Sequence, residues 1–149
     1  MAFTPKNIMV PLDGSKNAER ALSTAVTIAI ATKAQLHLVR VVDPNIYAAY
    51  GGAANATLFD EDVRAATENY LDDVGKRLTA DGFTNFTTKL LSGNIKSTLA
   101  RSYPAEHQID LIVIGATGMN AISQSVVGSV TAYVVRHASV NVFVVKDED

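Results

Sequence analysis

The residues best placed to do chemistry lie in one stretch, Val113 to Val135, where Gly115, Gly118 and Gly128 punctuate an otherwise apolar, hydroxyl-bearing run. A β-branched segment, DLIVIG, stops at Gly115, and Gly128 stands directly before Ser129, Val130 and Thr131. Gly115 is expected to turn the chain off a strand in conformations closed to other residues, and Gly118 to let backbone approach a ligand with no Cβ between them. Helical patterning resumes at Val130, so Gly128 and Ser129 fall at a helix start. Unpaired amides and the positive end of the helix dipole meet the hydroxyls of Ser129 and Thr131 there. That is the chemistry of an anion cradle, and phosphate suits it. The same layout also serves a plain strand-to-helix connection with a serine cap.

Other chemistries lack their residues. With no cysteine in 149 residues there is no disulfide framework, thiolate metal site or thiol nucleophile, which leans towards a reducing compartment and the cytoplasm. The single Gly-Lys pair, Gly75-Lys76, sits inside a helical pattern, and neither G-x-G nor G-x-S-x-G occurs, so kinase, dehydrogenase and hydrolase motifs are missing. His37, His107 and His137 show no metal-ligand spacing; the last two, near helix ends, read as partners of a helix dipole. Asp60 to Asp62, Asp72-Asp73 and the tail Lys146 to Asp149 read as solvated acidic faces, with metal contact as the alternative. A formal charge of −2 creates no basic field for nucleic acid or an anionic membrane. The longest nearly apolar stretch, Ala25 to Ala31, is broken by Thr27 and too short to span a bilayer. Neither a signal peptide nor a membrane helix is expected.

The elements that must position the glycines follow from periodicity. Strands are expected at NIMVPL, AQLHLVRVV, FTTKLL, DLIVIG and VNVFVV. Between them, AERALSTAVTIAIATK has Ala18, Ala21, Leu22, Ala25 and Ala29 at helical spacing, and DEDVRAATENYLDDVGKRL places Val63, Ala66, Tyr70, Leu71, Val74 and Leu78 on one face. IKSTLARSYPAEH reads as a helix with a late proline, VTAYVVRHA as the last helix, and NIYAAYGGAANATLF as a loop whose Tyr47 and Tyr50 either close over a ligand or pack locally. Alternating strands and helices specify one α/β domain over 1–149, a doubly wound five-stranded parallel sheet in the order 3-2-1-4-5 with helices on both faces. The winding reverses between the first and fourth strands, so ligands are expected at the ends of NIMVPLDGS and DLIVIGATG.

GATGMNAISQSVVGS, with its G-x2-G-x9-G-S spacing, resembles the nucleotide loop of the universal stress protein family, ATP-binding branch. IMVPLDGS is similar to that family's first strand and turn, HLVRVVDP to its second, and GSVTAYVVRHASVNVFVV to its closing helix and strand. The resemblance implies an adenine nucleotide alpha-hydrolase-like fold, a homodimer, a role in stress response, and binding of ATP with a divalent cation, Mg or Mn. By it, Pro11, Leu12, Asp13 and the backbone of Val41 hold the adenosine end, with the Asp13 carboxylate on ribose hydroxyls. Gly115, Ala116, Thr117, Gly118, Met119, Asn120 and Ala121, then Gly128, Ser129, Val130 and Thr131, hold the phosphates. One departure stands out: nothing from Gly115 to Val135 is charged, where the family often has a basic residue, and Ser15 with Lys16 is the nearest candidate replacement. A regulatory ATP-binding homodimer is the favoured function. The alternatives are a slow ATPase or nucleotide-using enzyme, and a nucleotide-free dimeric scaffold. The last strand lies on an edge, and Val140, Val142, Phe143, Val144 and Val145 are expected to pair with the same strand of a second copy.

Overall fold

A computed structural model describes residues 2–46, 56–117 and 127–147. Tyr47, Tyr50, Gly118, Met119, Asn120 and Ala121 lie outside the described residues. The strands are β1 (Asn7–Pro11), β2 (Gln35–Val42), β3 (Phe86–Ser92), β4 (Leu111–Gly115) and β5 (Asn141–Val145), all parallel in the order β3-β2-β1-β4-β5. Helix α1 spans Lys16–Thr32, residues 44–46 are helical, and α2 spans Ala56–Ala80. A helical run in three parts, Ile95–Ser97, Thr98–Ser102 and Tyr103–Glu106, forms α3, and Ser129–His137 forms α4.

The helices divide between the two faces as right-handed crossovers require. Ile8, Val10, Leu36, Leu38 and Val113 are buried under α1 and α2, while Met9, Val39, Val41, Ile112 and Ile114 are buried under α3 and α4. The three inner strands are therefore apolar on both sides, each fully buried side chain contributing about 1.5–3 kcal/mol. The five α1 residues picked out by spacing, Ala18, Ala21, Leu22, Ala25 and Ala29, are all buried. The small size of the four alanines lets α1 lie close to the sheet, which matters below at Gly115.

Three expectations are corrected here. α2 begins at Ala56, so the end of the expected loop is helical. Ala66 is exposed, because the helix buries only the stripe ending in Leu71, Val74 and Leu78. The run through α3 carries a π-helical segment, with the Tyr103 amide donating to the Thr98 carbonyl one residue further back than in an α-helix. Pro104 explains it: proline has no amide for the carbonyl four residues earlier and its ring presses on that carbonyl, so the ladder widens before it.

At the amino-end half of the sheet, His37 on β2 is buried, with Nδ1 3.0 Å from the Tyr103 hydroxyl and Nε2 3.1 Å from Asn7 Oδ1. Asn7 Oδ1 only accepts, so Nε2 carries the proton and Nδ1 accepts from Tyr103. Burial first, then the neighbouring charge of His107, holds the His37 pKa below 6.5, its ordinary value. The unfolded chain therefore takes up this proton first on acidification. The stability is complete above about pH 6.5 and is lost as pH falls through that value towards the lower folded pKa. Urea midpoints between about pH 7 and 5 should fall more steeply for the parent than for His37→Gln. Equal slopes would remove His37 from the acid response.

Candidate anion-binding site

β1 and β4 pair only at Ile8 with Leu111 and at Met9 with Ile112, so the strands part towards their carboxyl ends. A crevice at the winding reversal is the consequence. On its β2 side, the Leu12 amide donates to the Val39 carbonyl at 2.8 Å, showing that the Val39 backbone faces β1. Two residues on, the N–H and C=O of Val41 face the same way, beyond Pro11, where β1 has ended. Leu12 is buried and floors this corner. Asp13 Oδ1 accepts the Ser15 amide at 2.9 Å, and Gly14 takes the left-handed φ of 85° that the turn needs. The Ser15 hydroxyl then caps α1, accepting the Ala18 amide at 3.1 Å. Asp13 is thus held at the crevice by its own turn. Lys16 is exposed as the first residue of α1.

The β4 side is built differently from the expectation. Gly115 does not take a positive φ. It is bare because α1 passes so close: a Cβ would lie 2.8 Å from the Asn17 carbonyl oxygen and 2.9 Å from its carbon. From the opposite face, the buried Thr131 hydroxyl donates to the Gly115 carbonyl at 2.7 Å. The structure thus spends the Thr131 proton on locking α4 to the strand end, and a phosphate oxygen cannot receive the same proton. Ala116 is also spent, its amide on Val145 at 2.9 Å and its carbonyl on the Gly128 amide at 2.7 Å. Gly128, not Ser129, is the N-cap of α4. The remaining donors at this helix start are the first-turn amides of Ser129, Val130 and Thr131 and the exposed Ser129 hydroxyl.

Asn17 was not singled out by the sequence, and Asp147 was read as part of a solvated acidic tail. Asn17 Nδ2 donates to the buried Thr117 hydroxyl, which donates in turn to Asp147 Oδ2 at 3.2 Å. Asp147 is half-buried rather than solvated, and its Oδ1 is buried with no hydrogen-bond partner among the described residues. The topology contained the signal: residue 147 follows β5, whose Val145 sits beside Gly115, so it must come level with Thr117.

Elsewhere, an open groove of about 580 Å³ runs between α1 and α2, lined by Leu22, Val26, Arg77 and Phe83 among others. Glu19 on its wall accepts from Tyr70 at 2.7 Å and Arg77 at 3.1 Å, tying α2 to α1. None of the strand-end turns contributes to it, so the convergent polar groups and the groove are separate places.

The sequence pattern of the universal stress protein family matches residues 4–146. A putative universal stress protein of Staphylococcus haemolyticus is 36% identical over 147 residues, 99% of this chain and 88% of that protein. Among solved structures, universal stress protein UspA from Lactobacillus plantarum superposes with a TM-score of 0.83 at 36% identity, over 97% of this chain and 100% of that one. A universal stress protein in complex with cAMP superposes with a TM-score of 0.68 at 26% identity, over 97% and 98% of the two chains.

Proposed function

From the chain's membership of the universal stress protein family, to which it belongs, we propose that it is a regulatory protein of stress response that binds ATP with a divalent cation and works as a homodimer. The observation carrying this reading is the parting of β1 and β4, whose carboxyl ends lead into the Asp13 turn and, through Ala116, to the start of α4. An adenine edge needs one backbone donor and one acceptor, as Val41 offers. Ribose hydroxyls need a carboxylate, and phosphate needs amides in a helix first turn. A related protein takes a cyclic adenine nucleotide, which supports the purine and ribose half of the reading. Among the described residues no helix is long and apolar enough to cross a membrane. The absence of cysteine suits the cytoplasm.

Calorimetry with Mg-ATP tests the reading. Ser129→Ala should weaken binding by about 1.5–3 kcal/mol if the hydroxyl donates to charged phosphate. Unchanged affinity would remove Ser129 from the site, and no binding by the parent would favour the dimeric scaffold. Hydrolysis is expected to be slow, since Asp13 faces the ribose end and is held by the Ser15 amide. Phosphate release at tens per second, lost in Asp13→Ala, would make the protein an enzyme instead.

A further inference from the structure

We propose that Asp147, with Thr117 beside it, is the protein's own ligand for the divalent cation that accompanies the bound phosphates. This rests on the nucleotide-binding reading above and adds a named site to it.

The two residues come from the carboxyl ends of neighbouring parallel strands. Thr117 lies two residues beyond Gly115 and Asp147 two beyond its β5 partner Val145, so strand register alone sets them level. Asn17 donates to the Thr117 hydroxyl, whose own proton is thereby directed to Asp147 Oδ2, 3.2 Å away. The carboxylate is held in orientation while Oδ1, buried, has no partner among the described residues. A buried charged acceptor is costly unless something pairs it, and a bound cation is a group that can.

The surroundings decide for the cation. No residue from Gly115 to Val135 is charged, so a polyphosphate on this cradle would meet the negative Asp147 with no basic side chain of that segment between them. One divalent ion pairs Oδ1 and screens the phosphates together. Magnesium commonly takes one or two carboxylates, phosphate oxygens and several waters. Among the described residues no group of three or more His, Cys, Asp or Glu side chains is arranged to hold a metal, so a shell shared with the ligand is the mode that fits. In P-loop nucleotide hydrolases, Mg²⁺ is likewise held by a loop serine or threonine and an aspartate. Thr117 and Asp147 supply the same pair of oxygens here.

The test uses the full chain and measures ATP affinity by calorimetry in excess Mg²⁺ and in EDTA. The parent should bind at least tenfold tighter with Mg²⁺. Asp147→Asn should keep or slightly improve the EDTA affinity, because a repelling charge has gone, and should lose most of the Mg²⁺ gain. Thr117→Val should reduce the Mg²⁺ gain, and Thr117→Ser should restore it. Should Asp147→Asn prove unfolded by circular dichroism, the two Thr117 variants carry the test. A full Mg²⁺ gain in the variants, or equal weakening in both buffers, would overturn the proposal while ATP binding by the parent still stood. A parent that binds no ATP in either buffer would overturn the function reading and this proposal with it.

Discussion

Gly115→Ala should destabilise the protein by about 2–3 kcal/mol and weaken nucleotide binding together. The added methyl would sit 2.8 Å from the Asn17 carbonyl oxygen, a backbone atom that cannot swing aside as a side chain can. Thr131 prevents retreat the other way, because its hydroxyl grips the Gly115 carbonyl from the α4 face at 2.7 Å. Overpacking of this kind typically costs 1–3 kcal/mol, and the upper part of that range fits a strand end clamped on both faces. For a chain of 149 residues each kcal/mol lowers Tm by about 2–4 °C, so a fall of roughly 4–12 °C is expected. Gly14→Ala is the control. Its φ of 85° penalises any side chain, yet nothing lies within 4 Å of the new methyl. Its loss should stay near 1 kcal/mol without moving α1. Urea unfolding of both variants measures the difference, and a Gly115→Ala cost below about 0.5 kcal/mol would show that α1 yields freely.

The fold was legible because the inner strands obey simple rules. Ile8 to Val10 and Leu111 to Ile114 are apolar without a break, and Leu36 to Val39 is broken only by His37, a pattern that a sheet covered on both faces can use, and the intervening helical periods leave a parallel sheet as the answer. Boundaries were less legible where propensity and packing compete. Ala56 to Phe59 have no periodic signal of their own, yet they extend a helix whose apolar stripe begins later. Pro104 read as a late proline within one helix, and the chain accommodates it by shifting one amide to a more distant carbonyl.

Two residues of the candidate site were read with roles that the structure replaces. Gly115 was singled out for its conformational freedom, but what it provides is the absence of a side chain against Asn17. Thr131 was taken for a phosphate donor, and its proton serves the Gly115 carbonyl. Both roles depend on which helix lies over which strand end, and nothing within residues 113–135 encodes the position of α1. Asp147 was hidden for a related reason. An acidic chain end looks solvated until register places it beside Thr117, and register is a property of two strands together.

Assembly through β5 gives the second large effect. Among the described residues the strand has β4 on one side only, and the Ala116 amide bonded to the Val145 carbonyl at 2.9 Å fixes which backbone groups are used. Val145, and by alternation Phe143 and Asn141, face β4, so the N–H and C=O of Val142 and Val144 face the open edge. An antiparallel two-fold partner would satisfy them and stop growth. Val140 precedes the strand and packs with Val142 and Val144 against the α3 and α4 layer, whereas Phe143 points to the other face and is 46% exposed. Phe143→Lys therefore places a charge at the contact without entering that layer, which Val144→Lys would damage. Val142→Pro removes an edge amide and leaves the β4 ladder whole, the one placement in a strand that proline tolerates. Each variant should weaken dimerisation at least about a hundredfold, roughly 2.7 kcal/mol. By light scattering at micromolar concentration the parent should be a dimer and both variants monomers with an unchanged far-ultraviolet spectrum. A monomeric parent, or a proline variant that remains dimeric, would place the edge outside the interface.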